Sequence, residues 1–237
     1  MRDVIIQTNA MTRFDEAVDF VLDSDKGLSG FVLAHGQAGR GKSVAADSYY
    51  CKRGGAYVRV WQGWSQSDFL QRVLFEVRGT NEEMPRHRGN RRKEDIVKLL
   101  ANNSKAIFVD EADRLKIDRI EELRDIHEAT GAPIILIGEE GLLGLLSERR
   151  RIWSRVSHEV AFGEINAEEV AVYADEAASL NISPDLCRRI SSKAEGDFRL
   201  VRNMMLLLER AARAAETSSV DGARLEGVLK ERSWRRK

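Results

Sequence analysis

The octapeptide GQAGRGKS, residues 36–43, sets Gly36, Gly41, Lys42 and Ser43 at the spacing G-x-x-x-x-G-K-[ST]. Glycines let the backbone curl until successive N–H groups converge, which is what phosphate oxygens require. The run Gly36, Gln37, Ala38, Gly39, Arg40, Gly41, Lys42 and Ser43 is therefore expected to cradle a nucleotide. Lys42 would reach its β and γ phosphates, and the Ser43 hydroxyl would ligate Mg²⁺. ATP is the expected ligand and Mg²⁺ its cation. A second stretch, AIFVDEAD at 106–113, puts two acids directly after an apolar run. Asp110 is expected to hold Mg²⁺ through water, and Glu111 to orient and polarise the water that attacks the γ phosphate. Asp113, one turn further on, reads as a charge favoured by a helix start.

These groups need a scaffold, and the pattern around them supplies one. FVLA (31–34), AYVRVW (56–61), AIFVD (106–110) and PIILIG (133–138) read as buried strands separated by helical segments. That alternation predicts an α/β fold, a parallel sheet covered by helices on both faces. A helix is expected to begin near Gly41, adding its positive dipole end to the phosphate loop. After about residue 165 the strand signals stop and four helices are expected. Asn166 with Glu169 forms a capping box for the first, and Ser183 with Pro184 an N-cap and N1 pair for the second. MMLLLERAA lies within the third, and the fourth spans Gly222 to Arg232. The expected division is an α/β nucleotide-binding core over 1–165 and a small helical lid over 166–237.

The letters DEAD at 110–113 also mark a family of RNA helicases. Those enzymes need a second ATPase-like lobe, for which 237 residues leave no room, and their arginine-rich motif follows DEAD, whereas RHRGNRR at 86–92 precedes it. Order and length exclude that reading.

Composition adds exclusions of its own. Lys and Arg total 38 and Asp and Glu total 38, so overall charge does not advertise nucleic acid or an anionic membrane, and any DNA surface must be local. The two cysteines, Cys51 and Cys187, have no metal-ligand spacing and suit a reducing compartment. Apolar runs such as IILI fall far short of a membrane span. With no signal-peptide pattern at the N-terminus, a cytoplasmic protein with no membrane partner is expected.

Taken together, GQAGRGKS, VDEADRLKIDRIEELRDIHEAT (109–130), PIILIG, RIWSRVSHEVAF (151–162) and EGDFRLVRNMMLLLERAARAA (195–215) resemble the AAA+ ATPases. The resemblance is closer still to the B protein of Mu-like transposing phages, with its relatives TniB and TnsC, and runs from about QTNAM (7–11) to the last helix. It implies that Arg155 is an arginine finger reaching the γ phosphate bound by the next subunit, with Arg149, Arg150 and Arg151 as competitors for that role. It also implies that Arg199 of GDFR is the lid arginine called sensor 2, which with Glu111 and Arg155 completes the catalytic set. This chain departs from the family in carrying Glu139 and Glu140 where sensor 1 is usually Asn, Ser or Thr. It also has only a few residues ahead of QTN, so the helix-turn-helix domain of the phage Mu protein is not expected.

A finger supplied in trans needs head-to-tail subunits, which close into rings or propagate as filaments. The resemblance thus implies an ATP-dependent ATPase that assembles on double-stranded DNA and acts in DNA transposition as a target-selecting partner of a transposase. Two alternatives stand beside it: a loader or secretion-type ATPase with another client, and a nucleotide-gated switch with little turnover. The local DNA surface is expected at PRHRGNRRK (85–93), where Arg86, Arg88, Arg91, Arg92 and Lys93 occur with no acid among them. Such contacts go to phosphates and are sequence-independent. RSWRRK at the C-terminus is the second candidate.

Overall fold

The computed structural model describes residues 1–23, 30–79, 89–231 and 233–235. In chain order its first elements are α1 (Asn9–Asp23), β1 (Phe31–His35), α2 (Lys42–Arg53), β2 (Ala56–Arg59), α3 (Gln66–Arg78), α4 (Gly89–Asn102) and β3 (Ile107–Asp110). Then come α5 (Ile117–Thr130), β4 (Ile134–Gly138), α6 (Glu140–Ser147), α7 (Arg150–Trp153) and β5 (Val156–Ala161). The five strands form one sheet in the order β2-β3-β4-β1-β5, and every pairing is parallel.

Strand alternation sends side chains into two separate cores. Phe31, Leu33, Val58, Ile107, Val109, Ile134 and Leu136 pack with Phe69, Leu70, Ile96, Ile120 and Leu142 of α3 to α6. Val32, Ala34, Phe108, Ile135 and Ile137 pack on the other face with Phe14 and Val18 of α1 and Ala45, Ala46 and Tyr49 of α2. Burial on both faces explains why β1 and β4 read as continuous apolar runs, since a strand covered on each side has no solvent face to mark with polar residues. Because all five strands run the same way, their C-terminal ends share one edge. There β1 delivers Gly36, β3 delivers Asp110 and β4 delivers Glu139. Open α/β sheets bind ligands at that edge.

The five-stranded sheet differs from the expectation in two details. The sheet has a fifth strand, β5, whose half-exposed Val156, Ser157 and His158 and exposed Glu159 break the apolar signal. It lies at the end of the sheet order, where one flank has no strand neighbour among the described residues and polar residues are tolerated. The strand expected to reach Trp61 stops at Arg59, and a turn closed by Trp64 N–H donating to Trp61 O (3.4 Å) follows.

Contacts divide the chain into two compact units. One comprises Ala10–Gln37 and Lys42–Phe162, the other Met1–Asn9, Ala38–Gly41 and Gly163–Lys237. The N-terminal residues and the tip of the phosphate loop thus group with the C-terminal helices. That second unit holds α8 (Ala167–Ala178), β6 (Asn181–Ile182), α9 (Pro184–Lys193), α10 (Phe198–Ala214), β7 (Ser219–Val220) and α11 (Gly222–Glu231). Its core is built from Val170, Tyr173, Ile190, Val201, Met204, Met205, Leu208 and Leu225. The capping box of α8 is present, with Asn166 Oδ1 accepting from Glu169 N–H (2.9 Å) and Glu169 accepting in turn from Asn166 N–H (3.0 Å). Two-residue strands β6 and β7 pair in parallel within this unit, where only helices were expected. Among the described residues no helix is long and apolar enough to cross a membrane.

Candidate nucleotide site

Gly36 and Gly39 are required by close approach as well as by conformation, and Gly41 (φ 90°) by conformation alone. Gly36 has φ 149° and lies against the Phe162 carbonyl, where an added Cβ would meet Phe162 O at 2.3 Å. Gly39 has φ 81°, and a Cβ there would sit 2.2 Å from Asp197 Oδ1. Phe198 N–H donates to Gly39 O (2.9 Å), so the backbone of the α10 start holds the loop tip, against which the Asp197 carboxylate packs. A Gly39→Ala substitution is expected to cost about 1–3 kcal/mol, the usual strain of a side chain held at positive φ, aggravated by the clash. Thermal unfolding of the variant checks this, and an unchanged midpoint would mean that the tip does not pack as described.

Lys42 is buried at the first turn of α2, and its Nζ donates to Gly36 O (2.6 Å) and Gln37 O (2.8 Å). The ammonium therefore lies folded over the loop. Burial lowers its pKa from the ordinary lysine value, while Glu139, Asp110, Asp113 and Glu111 pull the other way. Ser43 Oγ donates to Asp110 Oδ1 (3.1 Å), so the hydroxyl of the loop and the carboxylate at the end of β3 already meet. An oxygen-only pair of this kind suits a hard divalent cation such as Mg²⁺.

Asp110 is 2% exposed and takes further bonds from Glu111 N–H (3.0 Å), the Tyr57 hydroxyl (3.1 Å) and Arg59 Nε (3.1 Å). Tyr57 is held for this by its ring, which stacks on Phe108 with centroids 6.2 Å apart. Glu111 adopts φ 60°, ψ 38°, an unusual left-handed conformation for a residue other than Gly, Asn or Asp. Its carboxylate pairs with Arg114 (3.2 Å), whose other guanidinium nitrogen donates to Val60 O (3.3 Å). Asp113, expected as a helix-start charge, lies in the short 3₁₀ turn Ala112–Arg114 and accepts from Glu139 N–H (3.0 Å), linking the ends of β3 and β4. Glu139 and Glu140, at the position of the family's sensor 1, are both exposed.

The two expected arginines are each paired with an acid of the chain. Arg155 is two-fifths exposed and makes a two-point contact with Glu128 of α5, through Nε (3.2 Å) and Nη2 (2.8 Å). Arg199 lies in the helical unit and pairs with Asp197 through Nε (3.3 Å) and Nη2 (3.2 Å), while Asp197 also caps α10 by accepting from Arg199 N–H (2.8 Å).

The basic stretch needs correcting. Arg86 and Arg88 lie outside the described residues, and Arg91 is exposed at the start of α4. Arg92 is buried at 8% exposure, with Nη1 donating to Ser67 O (2.8 Å) and to Ser67 Oγ, so it ties α4 to α3 and presents no charge to DNA. Lys93 is paired with Asp125 (2.5 Å) and holds that carboxyl below the usual range. The pattern of α4 accounts for this, since Arg92, Ile96 and Leu100 recur at helical spacing and share its buried face.

Reading the sequence missed Tyr57, Arg59, Arg114 and Asp197. For the first two a signal existed. In AYVRV the polar residues alternate with Ala56, Val58 and Val60, which marks one face of an otherwise buried strand as serving something polar.

Over 134 residues the chain is 29% identical to the Mu-like prophage FluMu DNA transposition protein B of Haemophilus influenzae, covering 52% of this chain and 45% of that one. It therefore spans less than half the length of that relative. Among solved structures it is similar to the Aeropyrum pernix ORC2 protein, with TM-score 0.71 at 15% identity, over 97% of this chain and 68% of that one. It is also similar to the ORC1 protein of the same organism in complex with DNA, with TM-score 0.61 at 18% identity, over 97% and 66% of the two chains. Those two likenesses establish the fold, a P-loop α/β sheet followed by helices. The profile of the AAA domain matches residues 26–146, just over half of the chain, and the chain belongs to that family.

Proposed function

We propose that the protein binds ATP at residues 36–43, hydrolyses its terminal phosphoanhydride bond, and assembles on double-stranded DNA as a target-selecting partner of a transposase. The observation that carries the catalytic reading is the meeting of Ser43 and Asp110 (3.1 Å), with Lys42 and Glu111 adjoining them in sequence. Backbone N–H groups of the loop would bind the phosphates, and Lys42 would leave its two carbonyl partners for the β and γ oxygens. Mg²⁺, held by Ser43 and through water by Asp110, would supply charge neutralisation between those phosphates. Glu111 would take a proton from the attacking water once its carboxylate leaves Arg114, and Arg199 and Arg155 would stabilise charge on the phosphates. The DNA and transposase parts of the reading are supported by similarity to a transposition protein B.

One observation favours a second reading. With Glu111 paired to Arg114, nucleotide binding without turnover, as in a gated switch, also fits.

The DNA part is tested by anisotropy of a labelled random-sequence duplex, with and without ATP, across salt from about 50 to 200 mM. Binding is expected to require ATP, to ignore sequence, and to weaken with a log–log slope of about −0.9 per neutralised phosphate. Replacing Arg91 and Lys93 by Ala should flatten that slope by up to about 0.9 for each phosphate no longer neutralised. Absence of binding at every salt concentration with ATP present would remove DNA from the proposal and leave the nucleotide chemistry standing.

A further inference from the structure

The Asp110 carboxylate has two oxygens with about four acceptor positions. In the protein alone all are engaged. Oδ1 accepts from Ser43 Oγ (3.1 Å) and Glu111 N–H (3.0 Å), and Oδ2 from the Tyr57 hydroxyl (3.1 Å) and Arg59, whose Nε lies at 3.1 Å and Nη2 at 3.0 Å. The register of β2 against β3 sets Arg59 opposite Asp110, and strand alternation brings Tyr57 to the same face. A guanidinium stays charged in proteins, so Arg59 brings a full positive charge to Asp110 Oδ2.

Two consequences follow for a nucleotide. The Oδ2 edge of Asp110 is closed by Tyr57 and Arg59, which leaves the Oδ1 edge, already in contact with Ser43, as the one turned to the phosphate loop. The negative charge of Asp110 is also balanced within the protein. A polyphosphate brought next to an unbalanced, buried carboxylate depends on a cation to offset the repulsion, whereas next to a balanced pair that dependence is weaker.

We propose that Arg59 is a positioning residue that orients and neutralises Asp110, so that residues 36–43 hold a nucleoside triphosphate even without a divalent cation. The proposal rests on the nucleotide reading above. It extends that reading to a residue outside both phosphate-site motifs and to the metal dependence of binding.

The test measures the dissociation constant of a fluorescent ATP analogue in excess Mg²⁺ and in excess EDTA, for the wild type and for Arg59→Gln, Arg59→Lys and Tyr57→Phe. Arg59 is half-exposed at the end of its strand, so its substitutions spare the core; thermal unfolding without nucleotide verifies folding. In Arg59→Gln the ratio of the EDTA constant to the Mg²⁺ constant should rise about tenfold, the effect of one unscreened charge at intermediate dielectric. Arg59→Lys, which keeps the cation, should restore the ratio to within about twofold of wild type. Tyr57→Phe, which removes a hydrogen bond and no charge, should also stay near the wild-type ratio. An unchanged or lower ratio in folded Arg59→Gln overturns the proposal, as does a Lys variant that behaves like Gln. Failure of the wild type to bind the analogue in either buffer would instead overturn the nucleotide reading, and this inference with it.

Discussion

Glu111→Gln is expected to bind ATP about as tightly as the wild type and to hydrolyse it more slowly by roughly three orders of magnitude, a barrier increase of about 4 kcal/mol. The amide keeps the shape of the side chain and loses the ability to accept a proton from water. Lys42→Ala should fail one step earlier, at binding. Its ammonium already lies over the loop with two carbonyl partners, and without it the β and γ phosphates lose the lysine cation that the proposal assigns to them. Equilibrium binding and steady-state phosphate release, measured on both variants, separate the two effects. Near-normal turnover in the Gln variant would remove Glu111 from its role. The same experiment weighs the switch reading. If the wild type itself releases phosphate hardly faster than Glu111→Gln, while both bind ATP and DNA alike, hydrolysis is not the function of the site and the Arg114 pair is its resting arrangement.

How much of this could be read from the chain depends on how local each feature is. The phosphate loop and the β3 acids are contiguous stretches, so their chemistry stands in the sequence; what the fold adds is the distance that brings Ser43 to Asp110. Strands β1, β3 and β4 were legible because burial on both faces leaves only apolar letters. Strand β5 was not, because its place at the end of the sheet admits Ser157, His158 and Glu159. The alternation of AYVRV marks Arg59 as lying on a polar face, but its partner, 51 positions away, is set by a strand register that no local pattern encodes. Asp197 at the loop tip is non-local in the same way. The basic stretch shows the reverse error. A run of cations along the chain says nothing of the helical period that turns Arg92 inward with Ile96 and Leu100 and leaves Arg91 outside.

Arg155→Ala is expected to be inactive alone and to regain activity when mixed with Lys42→Ala subunits. Within its own chain Arg155 is engaged by Glu128, which also lies 3.7 Å from Arg124, so acidic and basic groups on α5 hold the guanidinium at the surface. An exposed two-point ion pair of this kind contributes about 1 kcal/mol or less, so a triphosphate on a neighbouring subunit can displace Glu128 from it. If Arg155 acts in trans, a mixed interface pairs the intact loop of the Arg155→Ala subunit with the intact arginine of the Lys42→Ala subunit. One productive site then forms from two dead proteins. Wild-type specific activity should rise with protein concentration or with added DNA, since each brings subunits together. In the mixing series, phosphate release should peak near equal proportions and vanish at both ends. Flat, absent activity at every ratio, with both variants folded and sedimenting as assemblies, would show that no site is completed by the neighbour's Arg155. Arg149, Arg150 and Arg151, in or next to α7, would then be the arginines to exchange in the same way.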